Sequence, residues 1–176
     1  MSYYFLAASL PMLSIGEPPA IGTPEFLSRC EGQLSKSEYN ALFAVVHGDD
    51  CDHAFAAAWR DRDRQIRNAL VRVRAAARGR DAAPHLRDYK GFDVRSEATV
   101  DDMASRANPL ETELAIDGLR WSILDELAGK DMFSLNAIMA YGLKLRLAER
   151  WAAMDEQAGR DKLEEIVLGQ MASIHF

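Results

Sequence analysis

The sequence predicts a mainly α-helical, single-domain bundle, and three observations carry that expectation. Helix-start signals recur in order: Ser35-Lys36-Ser37-Glu38, Asn108-Pro109-Leu110-Glu111 and Asp161-Lys162-Leu163-Glu164 each place a capping residue three positions before a glutamate. Glycines stand where the helices that begin at Ser35, Asn108 and Ser134 should stop, at Gly48, Gly129 and Gly159. No convincing alternating strand, internal repeat or low-complexity tract interrupts the pattern. At 176 residues, with 48% apolar and 27% charged residues, the chain has enough material for one real core.

Taken in order, Tyr3–Leu10 is short, aromatic and apolar, and fits either a short strand or a first helical turn. Gly16, Pro18, Pro19, Gly22 and Pro24 mark an irregular linker. Thr23-Pro24-Glu25 reads as cap, N1 proline and first-turn acid of a helix through Glu31. Ser35 opens a helix through about Val46, and another begins near Asp52 and runs to Gly79. Residues 80–96, with Pro84 and Gly91, read as a loop joining an N-terminal lobe (1–79) to a C-terminal lobe (97–176). A modest helix over Glu97–Arg106 precedes the helices 109–128 and 134–158, and a last helix runs to Ile174.

The pair 109–128 and 134–158 is expected to be the centre of the fold. Both segments are apolar nearly all round: Leu110, Leu114, Trp121 and Leu124 line one side of the first, Ile116, Leu119, Ile123 and Leu127 another. Such helices sit between other elements. Their short connection makes them antiparallel neighbours. Asp117 interrupts the Leu110–Leu124 strip, and a buried carboxylate needs a partner. Arg146 or Arg150 on the facing helix are the expected partners, as a structural ion pair that fixes helix register; if it is buried, Asp117→Ala costs roughly 3 kcal/mol.

The charge is unevenly spread. The net charge is −6, yet residues 60–80 hold eight arginines against Asp61 and Asp63, a local +6 that leaves −12 for the rest. Arg60, Arg64, Arg67, Arg74 and Arg78 recur at helical spacing and fall on one narrow strip. Phe55, Trp59, Ile66, Leu70, Val73 and Ala77 form an apolar strip beside it. Guanidinium forks match carboxylates and phosphates in pairs, so the stripe is a candidate docking face for an acidic partner. The plain alternative is a solvated face with internal pairs such as Asp63 with Arg67. Nucleic acid is the runner-up ligand, disfavoured because the whole chain is acidic, no aromatic interleaves the stripe and no nucleic-acid motif accompanies it.

His47, Cys51 and His53, with three aspartates between the histidines, are the candidate metal ligands. Their spacing matches no standard zinc pattern, and their place between two helices suits capping instead. No nucleophile elbow, phosphate loop, dinucleotide fingerprint or zinc-protease motif occurs, so no catalytic residue and no cofactor is expected. Cys30 and Cys51 are too few for a disulfide framework and fit a reducing cytosol. Residues 3–15 lack a basic leading region and a cleavage site, and Pro11 interrupts them, so no signal peptide is expected there. No apolar run reaches the ~20 residues of a membrane span.

Several stretches together resemble a family of uncharacterised bacterial proteins encoded alongside V/A-type ATPase subunits. They are Tyr3-Tyr4-Phe5-Leu6-Ala7-Ala8-Ser9-Leu10-Pro11-Met12-Leu13, Glu25-Phe26-Leu27, Trp59 with Arg67-Asn68-Ala69-Leu70 and Arg74-Ala75, Asn108-Pro109-Leu110-Glu111, Asp117, Arg120-Trp121, Tyr141-Gly142-Leu143-Lys144-Leu145 and Glu149-Arg150-Trp151. That family is distantly similar to the C-type (d-type) subunit of rotary ATPases, an all-helical cytoplasmic adaptor. The resemblance implies a non-catalytic accessory or adaptor acting in assembly or coupling. Its partners would be other ATPase subunits, and it would be cytoplasmic, peripheral to the inner membrane through the complex. The chain is shorter than a C-type subunit and lacks its repeated lobes, which points to a partial, regulatory or assembly role.

Overall fold

Helix caps written in the sequence set most of the element boundaries. The computed structural model describes residues 3–104 and 108–154. Within them lie α1 (Tyr4–Ser9), α2 (Thr23–Glu31), α3 (Lys36–His47), α4 (Ala54–Ala77), a 3-10 turn (Ala83–His85), α5 (Val94–Ala104), α6 (Pro109–Ala128) and α7 (Leu135–Ala152). No strand occurs among the described residues, so Tyr3–Leu10 is resolved as the helical turn α1. The expected helix from Asp161 to Ile174 lies outside the described residues.

At α3 the capping box is complete. Ser35 Oγ accepts from Glu38 N at 3.4 Å while the Glu38 carboxylate accepts from Ser35 N at 3.0 Å. Gly48 closes the helix at φ +81°, where a side chain would be strained. Asn108 caps α6 as expected, accepting from Leu110 N and donating to Glu111. Three boundaries depart from expectation. Thr23 is not a cap: the cap position is Gly22, and Thr23 instead donates through N and Oγ1 to the Glu149 carboxylate at 2.6 and 2.7 Å, tying α2 to α7. Helix α5 starts three residues early, because Asp93 accepts from Arg95 N and Ser96 Oγ and turns the chain there. Helix α7 stops at Ala152, short of the expected end, and residues 155–158 of that expectation lie outside the described residues.

Helices α6 and α7 form the expected antiparallel hairpin. As α7 advances through Lys144 and Arg150, its ion-pair partners on α6 step back from Asp125 to Asp117 and Glu113. Helix α7 also packs on α2 and α3, and α6 packs on α4 and α5. The Leu110 and Leu114 end of the α6 strip is exposed, so that helix is covered on one side only near its start.

Two apolar clusters result. The first joins α1, α2, α3, the start of α4, Leu124 of α6 and α7 around Phe26, Leu42, Ile138, Met139 and Leu145. In the second, Ile66, Ala69 and Leu70 of α4 meet Val100 of α5 and Ile116 and Ile123 of α6. Trp59 and Leu127 touch both. Glycine is required at Gly142, where α7 presses on α2 and α3: a Cβ there would lie 2.8 Å from Val46 Cγ2 and 2.9 Å from Phe26 Cε1.

Candidate docking groove

A groove of about 1120 Å³ runs between the end of α3, α4, the loop after α4, and α6–α7. Four arginines of the stripe enter it: Arg60, Arg64, Arg67 and Arg74. Four more come from elsewhere, Arg87 from the loop, Arg120 from α6, and Arg146 and Arg150 from α7. Against these eight stand Asp49, Asp50, Asp63 and Glu113, an excess of four positive charges with the histidines neutral. In a chain of net charge −6 this concentrates a positive field in one concave place. The fifth stripe residue, Arg78, does not line the groove; it is the exposed C-cap of α4, one position past the last helical residue.

Helix α4 can present this face because its other side is anchored. Ile66 and Leu70 are buried in the second cluster, and beside them two buried amides hold the following loop. Gln65 donates to Asp93 O at 2.7 Å and accepts from Asp93 N at 3.0 Å. Asn68 does the same with Arg87, donating to its O at 2.7 Å and accepting from its N at 3.0 Å. One turn of helix thus pins the loop at two places and satisfies four backbone groups of an otherwise irregular segment. Asp93 is fixed further by Arg62 at 3.0 Å. Burial alone would raise its carboxyl, but the hydrogen bonds from Ser96 and Arg95 N and the charges of Arg62 and Arg95 outweigh it and hold Asp93 below the ordinary range.

Asp117 is fully buried at the floor of the helix hairpin, as expected of a structural acid. Its expected partner Arg150 is present. Arg146 is not: it points away, to Val46 O at 3.5 Å, and lines the groove instead. Its place is taken by Arg120, one turn along α6 at 2.8 Å, and Trp151 Nε1 donates to the second carboxylate oxygen at 2.8 Å. Arg120 also reaches Asp63 at 2.9 Å, which in turn holds Arg67 at 2.6 Å. Burial opposes the Arg120 charge, but Asp63 and Asp117 overcome it and raise its pKa. The chain of pairs therefore ties α4, α6 and α7 together beneath the groove.

The remaining stripe residues differ in what they hold. Arg60 pairs with Asp50, and Arg74 with Glu113 at 3.2 Å. Among the described residues, Arg64 donates to the backbone O of Asp88, at 3.3 Å, and holds no carboxylate.

The candidate metal ligands each have another task. His47 stacks on Phe43, with ring centroids 4.0 Å apart, and its Nδ1 donates to Phe43 O at 2.9 Å. His53 caps α4, its Nδ1 accepting from Phe55 N at 3.2 Å. Cys51 lies 3.9 Å from Ala41 O, and burial pushes its thiol pKa up. Among the described residues no three His, Cys, Asp or Glu side chains converge as a metal site. The Cys30 thiol is buried and pushed up to about 12. No helix among the described residues is long and apolar enough to cross a membrane.

Not marked in the sequence were Arg87, the groove placement of Arg120, Arg146 and Arg150, and the amides Gln65 and Asn68 that hold the loop. The Asp117–Arg120 pair did carry a local signal, the i, i+3 spacing of opposite charges on one helix.

Residues 94–173 match the family model described as "Protein of unknown function (DUF2764)". Neither a curated protein nor a solved structure matches the chain.

Proposed function

We propose that this chain is a non-catalytic docking protein that receives an acidic segment of a protein partner in the arginine-lined groove. We further propose, on the family resemblance of its sequence, that the partner is a subunit of a bacterial V/A-type rotary ATPase. The protein then acts in the cytoplasm, in assembly or coupling, and meets the inner membrane only through that complex. The observation that carries the reading is the convergence of eight arginines from α4, the loop, α6 and α7 on one concave surface, with half as many acids to balance them. Local charge of one sign in a cleft steers an oppositely charged partner and selects against like-charged ones.

The test is affinity capture from native lysate on the tagged chain, with the captured proteins identified by mass spectrometry. Recovery of rotary ATPase subunits, lost when Arg64 and Arg146 are both changed to Glu, supports the reading. Capture that survives this double charge reversal overturns the groove as the docking face, and an absence of ATPase subunits overturns the partner.

A further inference from the structure

The groove arginines are not equivalent, and we infer that Arg64, Arg87 and Arg146 are the ones that take the carboxylates of the acidic segment, with Asn68 as the positioning residue for Arg87. This rests on the docking reading above and assigns the contact residues of that same groove.

Five of the eight arginines already hold a carboxylate. Arg60 has Asp50, Arg67 has Asp63, Arg74 has Glu113, Arg120 has Asp63 and Asp117, and Arg150 has Asp117. For these, an incoming carboxylate replaces one that is already bound, and the exchange gains little. The other three are different. Arg64 and Arg146 donate to neutral backbone carbonyls at 3.3 and 3.5 Å, the long limit of a hydrogen bond. The Arg87 guanidinium is exposed and has no carboxylate among the described residues. At each of the three an anion adds a charge-assisted bond that no carboxylate among the described residues supplies.

The three also come from different walls of the groove: α4, the loop and α7. A segment lying in the groove can therefore meet all of them at once. Arg87 has no helix to hold it. Its backbone is placed by Asn68, which lines the groove but is only 4% exposed and has both its amide N and O engaged by Arg87 O and N. Asn68 acts on binding only through Arg87.

The experiment uses fluorescence anisotropy with a short labelled poly-L-glutamate peptide as probe, on the full chain at low salt. Single changes R64Q, R87Q and R146Q are each expected to weaken binding about 3–10-fold, and R67Q and R74Q less than about twofold. N68A is expected to weaken binding about as much as R87Q, and the double variant N68A/R87Q no more than R87Q alone. Should N68A not fold by circular dichroism, N68S takes its place in the same cycle.

A further loss in the double variant overturns the positioning role of Asn68. If R67Q and R74Q cost as much as the other three, the assignment fails while the docking reading stands. If the wild-type chain does not bind the peptide, or binds poly-uridylate more tightly, the docking reading itself fails.

Discussion

The two apolar clusters of this fold are built on different terms. In the first, around Phe26, Leu42 and Leu145, Thr23 is the buried polar residue nearby among the described residues, and shape decides: α7 comes so close to α2 and α3 that Gly142 has no room for a methyl group. The second is smaller, yet Gln65, Asn68, Ser96 and Asp117 are all buried around it. Each of those polar groups places something: the loop, the start of α5, or the groove arginines Arg120 and Arg150. The dry cluster holds the helices together, and the polar one positions the charged surface.

This contrast can be broken experimentally. The largest effect is expected from Asp117→Asn, which changes charge but hardly changes shape. It removes the buried carboxylate that Arg120 and Arg150 share, although Arg120 keeps Asp63 and Arg150 keeps Glu113, and should lower stability by about 3 kcal/mol in urea unfolding. An equally shape-conserving change in the first cluster, Leu145→Met, should cost less than about 1.5 kcal/mol. Similar losses for the two would erase the distinction between the clusters.

Next come two helical glycines with opposite expectations. Gly142→Ala drives a methyl into Val46 and Phe26, an overpacking cost of about 1–3 kcal/mol that exceeds the gain in helix propensity of up to ~1 kcal/mol. Gly118, on α6, has nothing within 4 Å of its Cβ position. There the propensity gain stands alone, and Gly118→Ala should raise stability by up to ~1 kcal/mol. Thermal melts of the two variants read the signs directly, and a stabilising Gly142→Ala would show that α7 can move away from α2 and α3.

The smallest effect is acid sensitivity at the edge of the first cluster. The hydrogen bond from Ser35, followed by that from Tyr3 at 2.5 Å, holds the Glu38 carboxyl below its ordinary range. A carboxyl lowered in the folded state contributes stability above its unfolded pKa of ~4.3, and that contribution is lost as pH falls through the folded value. The melting temperature of Glu38→Gln should therefore change less than that of wild type between about pH 5 and pH 3. Parallel pH profiles would exclude Glu38 as a source of acid sensitivity.

What could be read from the chain alone follows the range of the forces involved. Caps act over three or four residues, so Ser35–Glu38, Gly48, Asn108 and Gly129 marked their helix ends correctly. Asp117 was recognisable because a carboxylate in an apolar strip must be paired, and Arg150 was the right partner on the facing helix. Thr23 was misread because its true partner, Glu149, lies on the far side of the chain and outcompetes the local cap. Gln65 and Asn68 gave no signal, since an amide beside a run of arginines looks like more polar surface. Arg87 and Arg146 join the stripe only once the loop and α7 fold against α4, and no local pattern encodes that meeting.

Whether a carboxylate-bearing segment settles among Arg64, Arg87 and Arg146 is read by NMR of the arginine side-chain Nε–Hε groups in ¹⁵N-labelled protein during titration with poly-L-glutamate. Saturable shifts in those three signals, with Arg29 and Arg95 outside the groove left unmoved, are the expected result. Shifts confined to Arg29, Arg95 or other arginines away from the groove would contradict it.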